Sequence, residues 1–433
     1  MIAAGDTIVA LSSGALPSGV AVIRISGPHA AALVRDVAGA LPEPRRLSLH
    51  TLSLDGAPID TGLIAWFPGP QSFTGEDCAE LQVHGSPAVV RRLLRGLASK
   101  PGVRLAEAGE FTRRAFENGK LDLTEVEGLA DLIAAETESQ RRQALARLGG
   151  GLTRDLEGWR ERLLDLRAEI EAQLDFSDEG DVGQLPVNFG DSVDRLRLEL
   201  LEAAASVGRG RVVREGLRVA LAGPPNAGKS SLINALSRSD VAIVTDEPGT
   251  TRDVREVAID LGGQLVLLVD MAGLRETESK AEAEGVRRAR EELDRADLVL
   301  WLSAPDAAEA PPEIAAPLWR LATKLDLLPS AGPHDLAISV RTGEGMDVLV
   351  KRLADAAAEA AGEGEPVIVS RERDLVALES AASALAEART QLADSELAAE
   401  SLRHASHALE RLLGRMDAES VLDRLFLSFC IGK

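Results

Sequence analysis

The spacing of apolar and polar positions changes along the chain, and the first segment alternates short apolar runs with turns. In residues 1–118, the runs Val20–Ile25 and Gly62–Phe67 predict strands, and the periodicity of Ala30–Ala38 and Pro87–Leu97 predicts helices. The pattern therefore predicts a small mixed α/β domain at the N-terminus.

A different pattern begins at residue 119, where apolar residues recur every three or four positions as far as residue 215. This spacing predicts long amphipathic helices. The same bias toward Ala, Leu and Glu returns from residue 357 to 433. We interpret 119–215 and 357–433 as two parts of one discontinuous all-α domain.

Residues 216–356 alternate strand and helix patterns, which is typical of a parallel sheet. Arg218–Ala222 is predicted as the first strand, and Gln264–Val269 and Leu298–Leu302 as later buried strands. The predicted fold is thus multidomain, α/β plus all-α, with a second α/β domain inserted into the helical domain.

The strongest chemical signal is Gly223–Ser230, which fits the pattern G-x-x-x-x-G-K-[ST] between a buried strand and a helix. Its glycines allow backbone N–H groups to surround phosphate oxygens at the helix N-terminus. Lys229 is predicted to reach the β- and γ-phosphates, and the Ser230 hydroxyl to bind Mg²⁺. The alternative, a chance glycine turn, does not explain the position between strand and helix.

A second element belongs to the phosphate end of the site. Asp270–Gly273 fits D-x-x-G after a buried strand, where Asp270 would hold Mg²⁺ through water and the Gly273 N–H would contact the γ-phosphate.

Two further elements predict guanine as the base. The carboxylate of Asp326 can accept hydrogen bonds from guanine N1–H and the 2-amino group. Adenine offers neither donor, so an unpaired carboxylate would disfavour ATP. Thr323 stands where N-K-x-D has Asn, and it can still bond the P-loop backbone. Ser339–Arg341 is predicted to direct backbone N–H groups at the guanine oxygen. Together these elements predict that the inserted domain is a Ras-like P-loop GTPase domain.

The segment between the P-loop and Asp270 has the composition of a switch loop. Thr245–Asp253 contains a Gly and two adjacent Thr, although an ordinary solvated loop explains the segment equally well when it is considered alone. Leu274 follows the D-x-x-G glycine, where Ras-like enzymes use Gln to orient the attacking water. The spacing alone does not choose a replacement among the acidic residues of the following loop, Glu276, Glu278, Glu282 and Glu284.

Charge and cysteine content narrow the class of protein. The net charge of −21 argues against a chain that clamps nucleic acid over its whole surface. The chain has only two cysteines, Cys78 and Cys430, and neither has a second Cys or His nearby at metal-ligand spacing. This count argues against a disulfide scaffold and a structural zinc site. No apolar run approaches the roughly 18 residues of a membrane span, and the N-terminus lacks a secretory pattern. We expect a cytoplasmic protein.

Taken in order, the motifs resemble the MnmE (TrmE) family of tRNA-modification GTPases from one end of the chain to the other. Each motif alone is weak, but their order along the chain makes the resemblance specific. The motifs are Asp6–Ala10, Arg24–Gly27, Ser72–Asp77, Glu80–Gly85, Gly109–Phe116, Asn118–Leu123, Pro225–Ser231, Gly249–Asp253, Gly273–Arg275 and Phe429–Lys433.

The resemblance implies a GTPase activated by K⁺ beside the phosphates. It implies Glu282 as the glutamate that orients water, Ser230 and Thr251 as Mg²⁺ ligands, and pairing of two G domains across a homodimer. The implied K⁺ site is Asn226, Thr245, Glu247 and Thr250. The implied GTP-binding set is Asn226, Ala227, Gly228, Lys229, Ser230, Ser231, Thr245, Asp246, Glu247, Pro248, Gly249, Thr250, Thr251, Asp270, Met271, Ala272, Gly273, Lys324, Asp326, Ser339, Val340 and Arg341.

The resemblance also implies that the N-terminal domain binds 5-formyl- or 5,10-methylene-tetrahydrofolate. The matching positions are Arg24, Glu80, Lys120 and Lys433. A carboxylate suits pterin N–H donors, and cations suit the glutamate tail of the folate. Cys430 is implied near the one-carbon carrier as a catalytic residue; its alternative is a small buried apolar side chain.

The implied activity needs a partner, the FAD-containing flavoprotein MnmG (GidA), in a hetero-oligomer that also contacts tRNA. Together they would add an aminomethyl or carboxymethylaminomethyl group at C5 of the wobble uridine. The alternative is a ribosome-assembly or signalling GTPase without one-carbon chemistry. A third interpretation makes residues 1–120 only a dimerisation module.

Overall fold

The structure is a computed structural model. It describes residues 5–175, 185–238, 255–271, 290–307, 309–327, 334–362 and 364–415, together with 425, 426, 429 and 432. The chain forms two compact units. The first comprises Met1–Ala130 and Leu409–Lys433, and the second comprises Asp131–Ala408.

The first unit contains a sheet with strand order β3-β4-β5-β2-β1-β6. Helices α1 and α2 pack their apolar faces on it, with Leu33, Val34 and Leu93 buried against strand residues such as Ile23 and Leu81. The described elements are β1 (Thr7–Leu11), β2 (Ser18–Ser26), α1 (Ala30–Ala38), β3 (Ser48–Leu54), β4 (Ala57–Phe67), β5 (Cys78–Gly85), α2 (Pro87–Ala98), β6 (Val103–Leu105), α3 (Glu110–Glu117) and α4 (Leu123–Ala134).

The predicted elements of this unit are present, and the largest difference in length is at strand β4. Strand β4 begins at Ala57 rather than at Gly62. The reason is a tight turn at Asp55 and Gly56, whose φ angles are 52° and 79°, which joins β3 directly to β4. The turn places the exposed residues before Gly62 in a hairpin, so the alternation of apolar residues did not reveal them.

The second unit contains helices from both sides of the inserted sheet. They are α5 (Glu138–Leu148), α6 (Gly151–Asp175), α7 (Phe189–Glu215), α10 (Glu372–Thr390) and α11 (Ser395–Leu412). Helix α7, before the insertion, packs along α10, after it. Their buried positions include Leu196 and Leu200 on α7 and Leu378 and Leu385 on α10, at the spacing of one helix face. The helical domain is therefore discontinuous in sequence.

The inserted region, which we call the G domain, has strand order β12-β11-β10-β7-β9-β8. All neighbours are parallel except β8, which runs antiparallel to β9 at the edge. Its elements are β7 (Leu217–Ala222), α8 (Lys229–Ser237), β8 (Arg255–Leu261), β9 (Gln264–Asp270), β10 (Leu298–Ser303), β11 (Leu318–Ala322), β12 (Leu336–Ala337) and α9 (Met346–Ala361). The predicted α/β plus helical architecture is confirmed, while the domain limits stay a prediction.

A buried ion pair connects helix α5 to helix α10. Arg147 Nη1 lies 2.9 Å from Asp374 Oδ2, with the two side chains 1% and 0% exposed. The same guanidinium donates to the carbonyl oxygen of Ile368 at 2.9 Å. Burial raises the pKa of Asp374, but the charge and hydrogen bond of Arg147 outweigh it and lower the pKa overall. Asp374 is therefore ionised at neutral pH and holds a buried cation.

We predict that Asp374→Asn destabilises the second unit by about 3–5 kcal/mol, because it leaves the Arg147 charge buried without its counter-ion. The measurement is chemical denaturation followed by far-ultraviolet circular dichroism. The matched control is Asp194→Asn, which removes the exposed pair with Arg389 (43% and 46% exposed) and should cost at most about 1 kcal/mol. Equal losses in the two variants would contradict the prediction.

Candidate functional site

The P-loop joins the end of β7 to the start of α8. Gly228 caps α8 in the left-handed region, with φ 99°. Gly223 has φ 138°, and a Cβ there would lie 2.3 Å from the carbonyl oxygen of Leu302. Any side chain at Gly223 would therefore clash with β10. The N–H groups in the first turn of α8 have no carbonyl partner within the helix, so they can serve an anion.

The side chains that follow the P-loop glycine converge on the same edge of the sheet. Lys229 Nζ donates to the carbonyl oxygens of Gly223 (2.8 Å) and Pro224 (2.9 Å). Ser230 Oγ donates to Asp270 Oδ2 at 2.8 Å. This contact follows from the topology, since β7 and β9 are parallel neighbours and both end here. A hydroxyl and a carboxylate at this distance are the hard oxygen ligands that Mg²⁺ prefers.

Asp326 lies in the turn after β11 and is held by a neighbouring loop. Ser339 Oγ donates to Asp326 Oδ1 at 2.7 Å, and Arg341 Nη1 lies 3.5 Å from Oδ2. The hydrogen bond from Ser339 lowers the pKa of Asp326, and the positive charge of Arg341 contributes in the same direction. Asp326 is therefore an oriented carboxylate, which is the acceptor that a guanine edge requires.

Thr323 connects this base-side loop to the P-loop. Its Oγ1 donates to the carbonyl oxygen of Ala227 at 2.7 Å and lies 3.2 Å from that of Ser303. The residue is 4% exposed. Thr323 thus makes the hydrogen bond to the P-loop backbone that the sequence predicted for it in place of Asn. The next residue, Lys324, has a left-handed φ of 59° and places Nζ 2.9 Å from both carboxylate oxygens of Asp306.

Some of the remaining residues predicted to bind the nucleotide lie in the described part of the structure, and others lie outside it. Asn226 lies in the P-loop with φ 63°, and Ser231 lies in the first turn of α8. Met271 is buried beside Trp301 and Val299, where it packs rather than presenting a polar group. Val340 packs against the core of the G domain. Outside the described residues lie Thr245, Asp246, Glu247, Pro248, Gly249, Thr250, Thr251, Ala272, Gly273 and Glu282.

The first unit contains a second candidate site, a cavity of about 300 Å³. Arg24 and Glu80 face each other across β2 and β5, with Nη2 2.9 Å from Oε1. The guanidinium carbon of Arg24 lies 5.4 Å from the ring centroid of Phe73, within cation–π range. The lining residues are Arg24, Arg45, Phe67, Gln71, Ser72, Phe73, Cys78 and Glu80.

Of the four predicted folate residues, the structure brings Arg24 and Glu80 together. Lys120 is exposed, and its Cγ would lie 3.5 Å from a Cβ added at Gly75, so it packs on the loop that supplies Phe73. Lys433 and Cys430 lie outside the described residues.

Several lining residues of this cavity were missed by the sequence analysis, namely Arg45, Phe67, Phe73 and Cys78. Phe73 lies within Ser72–Asp77, one of the motifs on which the family resemblance rests, and this was the only indication in the sequence that it could line a site. Cys78 is buried, with Sγ 3.1 Å from Thr74 Oγ1, and its place in the sequence carried no signal of its own.

Comparison with known proteins agrees with this arrangement. The family model described as "MnmE helical domain" matches residues 123–430, and "GTP-binding protein TrmE N-terminus" matches residues 7–120. The chain belongs to the MnmE family. The protein is therefore a GTP hydrolase.

Curated relatives cover the whole length. The tRNA modification GTPase MnmE of Azorhizobium caulinodans is 52% identical over 438 residues, which is 100% of each chain. That of Rhizobium meliloti is 52% identical over 99% of each chain. The solved G domain of the T. maritima FeoB iron transporter is 27% identical over 33% of this MnmE-family chain and 99% of its own, with a TM-score of 0.25. Within the described part of the chain, no helix is long and apolar enough to cross a membrane.

We predict that Thr323→Val weakens GDP binding by about 5- to 30-fold, because the buried carbonyl of Ala227 loses its donor at a cost of about 1–2 kcal/mol. Titration of a fluorescent GDP analogue measures the effect. Thr323→Ser is the matched control, since it keeps the hydroxyl and should bind within about twofold of wild type. Wild-type affinity in Thr323→Val would show that this hydrogen bond does not support the site.

Proposed function

We propose that this protein is a K⁺-activated GTPase that works with an FAD-containing MnmG partner on tRNA. The pair adds an aminomethyl or carboxymethylaminomethyl group at C5 of the wobble uridine, with a tetrahydrofolate one-carbon unit. The observation that best supports the GTPase part is the hydrogen bond between Ser230 and Asp270, which lie after two neighbouring parallel strands. A separate loop supplies Ser339, which donates a hydrogen bond to Asp326.

Guanine selectivity is assigned to Asp326. A carboxylate already oriented by Ser339 accepts from N1–H and the 2-amino group without further ordering. An adenine base would leave it without donors, and sites built around such a polar contact discriminate strongly. Thr323 supports this role from the other side, because it fixes the base-side loop to the P-loop at Ala227.

At the phosphate end, Lys229 exchanges its two carbonyl partners for phosphate oxygens. Ser230 and Thr251 are the proposed ligands of Mg²⁺, which supplies positive charge at the phosphates when it is bound. Asn226, Thr245, Glu247 and Thr250 are the proposed K⁺ site, which adds positive charge where Ras-like enzymes use an arginine finger.

Orientation of the attacking water is assigned to Glu282, the position that the family resemblance implies. Leu274 has no group that could orient it. The group that activates water would then be a carboxylate in the loop after the D-x-x-G motif. In Ras-like enzymes this group is instead the residue directly after the glycine of that motif, which here is Leu274. The predicted GTP contacts at Thr245–Thr251 and at Ala272 and Gly273 are part of the same proposal.

We predict that wild-type protein hydrolyses GTP at least about tenfold faster in K⁺ than in Na⁺, since cation placement at developing charge acts on the chemical step. Asn226→Ala should abolish this difference with little change in GDP affinity. Steady-state phosphate release in the two salts measures it.

The matched control for Asn226→Ala is Asn234→Ala, on the exposed face of α8. It should keep the full response to K⁺. Equal rates in both salts for the wild type would rule out the cation role, whereas a retained difference in Asn226→Ala would move the cation site elsewhere.

The folate proposal is supported by the cavity of the first unit. Its volume of about 300 Å³ lies at the lower end of ligand pockets. It combines aromatic rings for stacking with an acceptor at Glu80 and cations at Arg24 and Arg45. Lys120, Lys433 and the proposed catalytic Cys430 complete the set. A signalling or ribosome-assembly GTPase would share the G domain but would have no use for this cavity.

We predict that 5-formyltetrahydrofolate raises the thermal midpoint of the wild type, because a ligand that binds the folded state stabilises it. Glu80→Gln should lose most of this shift, since the amide keeps one acceptor oxygen and turns an N–H₂ donor toward the second pterin N–H. The control is Glu43→Gln, whose carboxylate is 72% exposed beside Arg46. No shift in the wild type would refute folate binding and favour the rival function.

The homodimer, the hetero-oligomer with MnmG and the cytoplasmic location remain proposals that follow from family membership. The net charge of −21 is consistent with a division of labour in which the partner makes most of the tRNA contact, since phosphate binding needs basic surface.

A further inference from the structure

Helix α5 contacts each of three segments that attach the G domain to the helical domain. These are the C-terminal turns of α7, the linker at 362–371 that leads back to α10, and the tip of the β8–β9 hairpin. The contacts come from Ser139, Gln140, Gln143 and Arg147, of which the last three recur at the spacing of one helix face.

The chain enters the G domain under α5. Gln140 Nε2 donates to the carbonyl oxygen of Arg214 at 2.9 Å, and Gln143 Nε2 donates to that of Gly210 at 3.0 Å. Arg214 lies in the last turn of α7, where carbonyl groups have no partner within the helix. Strand β7 begins two residues after α7 ends. The two hydrogen bonds from α5 therefore hold the end of α7 at the point where the chain enters the G domain.

The chain leaves the G domain past the same helix. Gln143 Nε2 donates to the carbonyl oxygen of Val367 at 2.7 Å, and Arg147 Nη1 to that of Ile368 at 2.9 Å. The linker also passes very close to α7, because a Cβ at Gly210 would lie 2.0 Å from the carbonyl oxygen of Val369. One amide group, that of Gln143, thus holds both the entry and the exit.

The third contact is at the hairpin whose strand β9 leads to the nucleotide site. The N–H of Ser139 donates to the carbonyl oxygen of Gly263 at 3.1 Å, at the tip of the β8–β9 hairpin. Strand β8 starts just after the predicted switch loop Thr245–Asp253, and β9 ends at Asp270. A strand of seven residues is a stiff element about 23 Å long. The strand therefore connects Asp270, at the nucleotide site, with the hairpin tip at α5.

A solvent-open groove lies beside α5. Its volume is about 270 Å³, and it runs between α5, the hairpin and the linker, where it is lined by Ser139, Arg142, Gln143, Gln264 and Val367 among others. Along this groove the three segments are not packed tightly against one another.

We propose that α5 transmits the nucleotide state of the G domain to the helical domain, with Gln143 as the positioning residue. The proposal rests on the GTP cycle of the proposed function. Gln143 is 4% exposed, and its two N–H donors match the two carbonyl groups of Gly210 and Val367. Movement of either segment away from α5 would break one of these two buried hydrogen bonds.

The test is hydrogen–deuterium exchange of the full chain with and without a non-hydrolysable GTP analogue, in Mg²⁺ and K⁺. In the wild type, exchange should change at the P-loop and also, by about fivefold or more, at the amides of α5. In Gln143→Met the P-loop response should remain while the α5 response falls below about twofold. The matched control is Arg141→Met, whose side chain pairs with Glu138 on the exposed face of α5.

A second variant keeps the test informative if Gln143→Met fails to fold. Ser139→Pro removes the N–H that binds Gly263, and a proline in the first turn costs the helix none of its own hydrogen bonds. It should likewise lose the α5 response while the P-loop response remains.

The outcomes separate the inference from the proposed function. If the wild-type P-loop shows no response to the analogue, the GTPase proposal fails. If the P-loop responds and α5 does not, the inference is overturned. It is also overturned if Gln143→Met and Ser139→Pro keep the full α5 response and merely lower the thermal midpoint, because α5 is then a passive brace.

Discussion

The central position of β7 in the G domain is the constraint on which the nucleotide site depends. Because β7 lies between parallel β9 and β10, the segments after these strands emerge side by side at one edge. The polypeptide reverses its direction of winding here, and open α/β sheets bind ligands at such a point. The P-loop, Asp270 and the base-side loop at Thr323 then meet without any need for long side chains. The contact of Ser230 with Asp270, and that of Thr323 with Ala227, are consequences of this strand order.

The insertion of the G domain imposes a second requirement on the helical domain. A chain that leaves and re-enters a domain must bring two distant segments together, and here they meet at Gly210 and Val369. The buried pair of Arg147 and Asp374 lies next to this crossing. Such a pair contributes little net stability after desolvation, but it strongly disfavours arrangements in which either charge lacks its partner. Its position at the crossing therefore suits a junction whose geometry must be specific.

The sequence predicted those features that are encoded by local spacing. The P-loop, the buried strands of the G domain and the helices of both helical segments follow from periodicity and glycine position within short windows. Contacts across long sequence separations had no such signal. Glu80 faces Arg24 only because β5 pairs with β2 in one register, and without the family resemblance it is an ordinary strand-edge residue. Gln143, in the same way, is indistinguishable in sequence from a solvated helix position until α7 and the linker cover it.

The pairing of Arg24 with Glu80 limits what the first unit's cavity can bind. Both side chains are about one-fifth exposed (22% and 23%), and each neutralises the other. A ligand that offers only donors would satisfy Glu80 while leaving Arg24 without an acceptor, and a ligand that offers only acceptors would do the reverse. Separation of a partly buried pair is costly unless both charges find new partners. An occupant that separates this pair must therefore offer a donor to Glu80 and an acceptor to Arg24 at the same time.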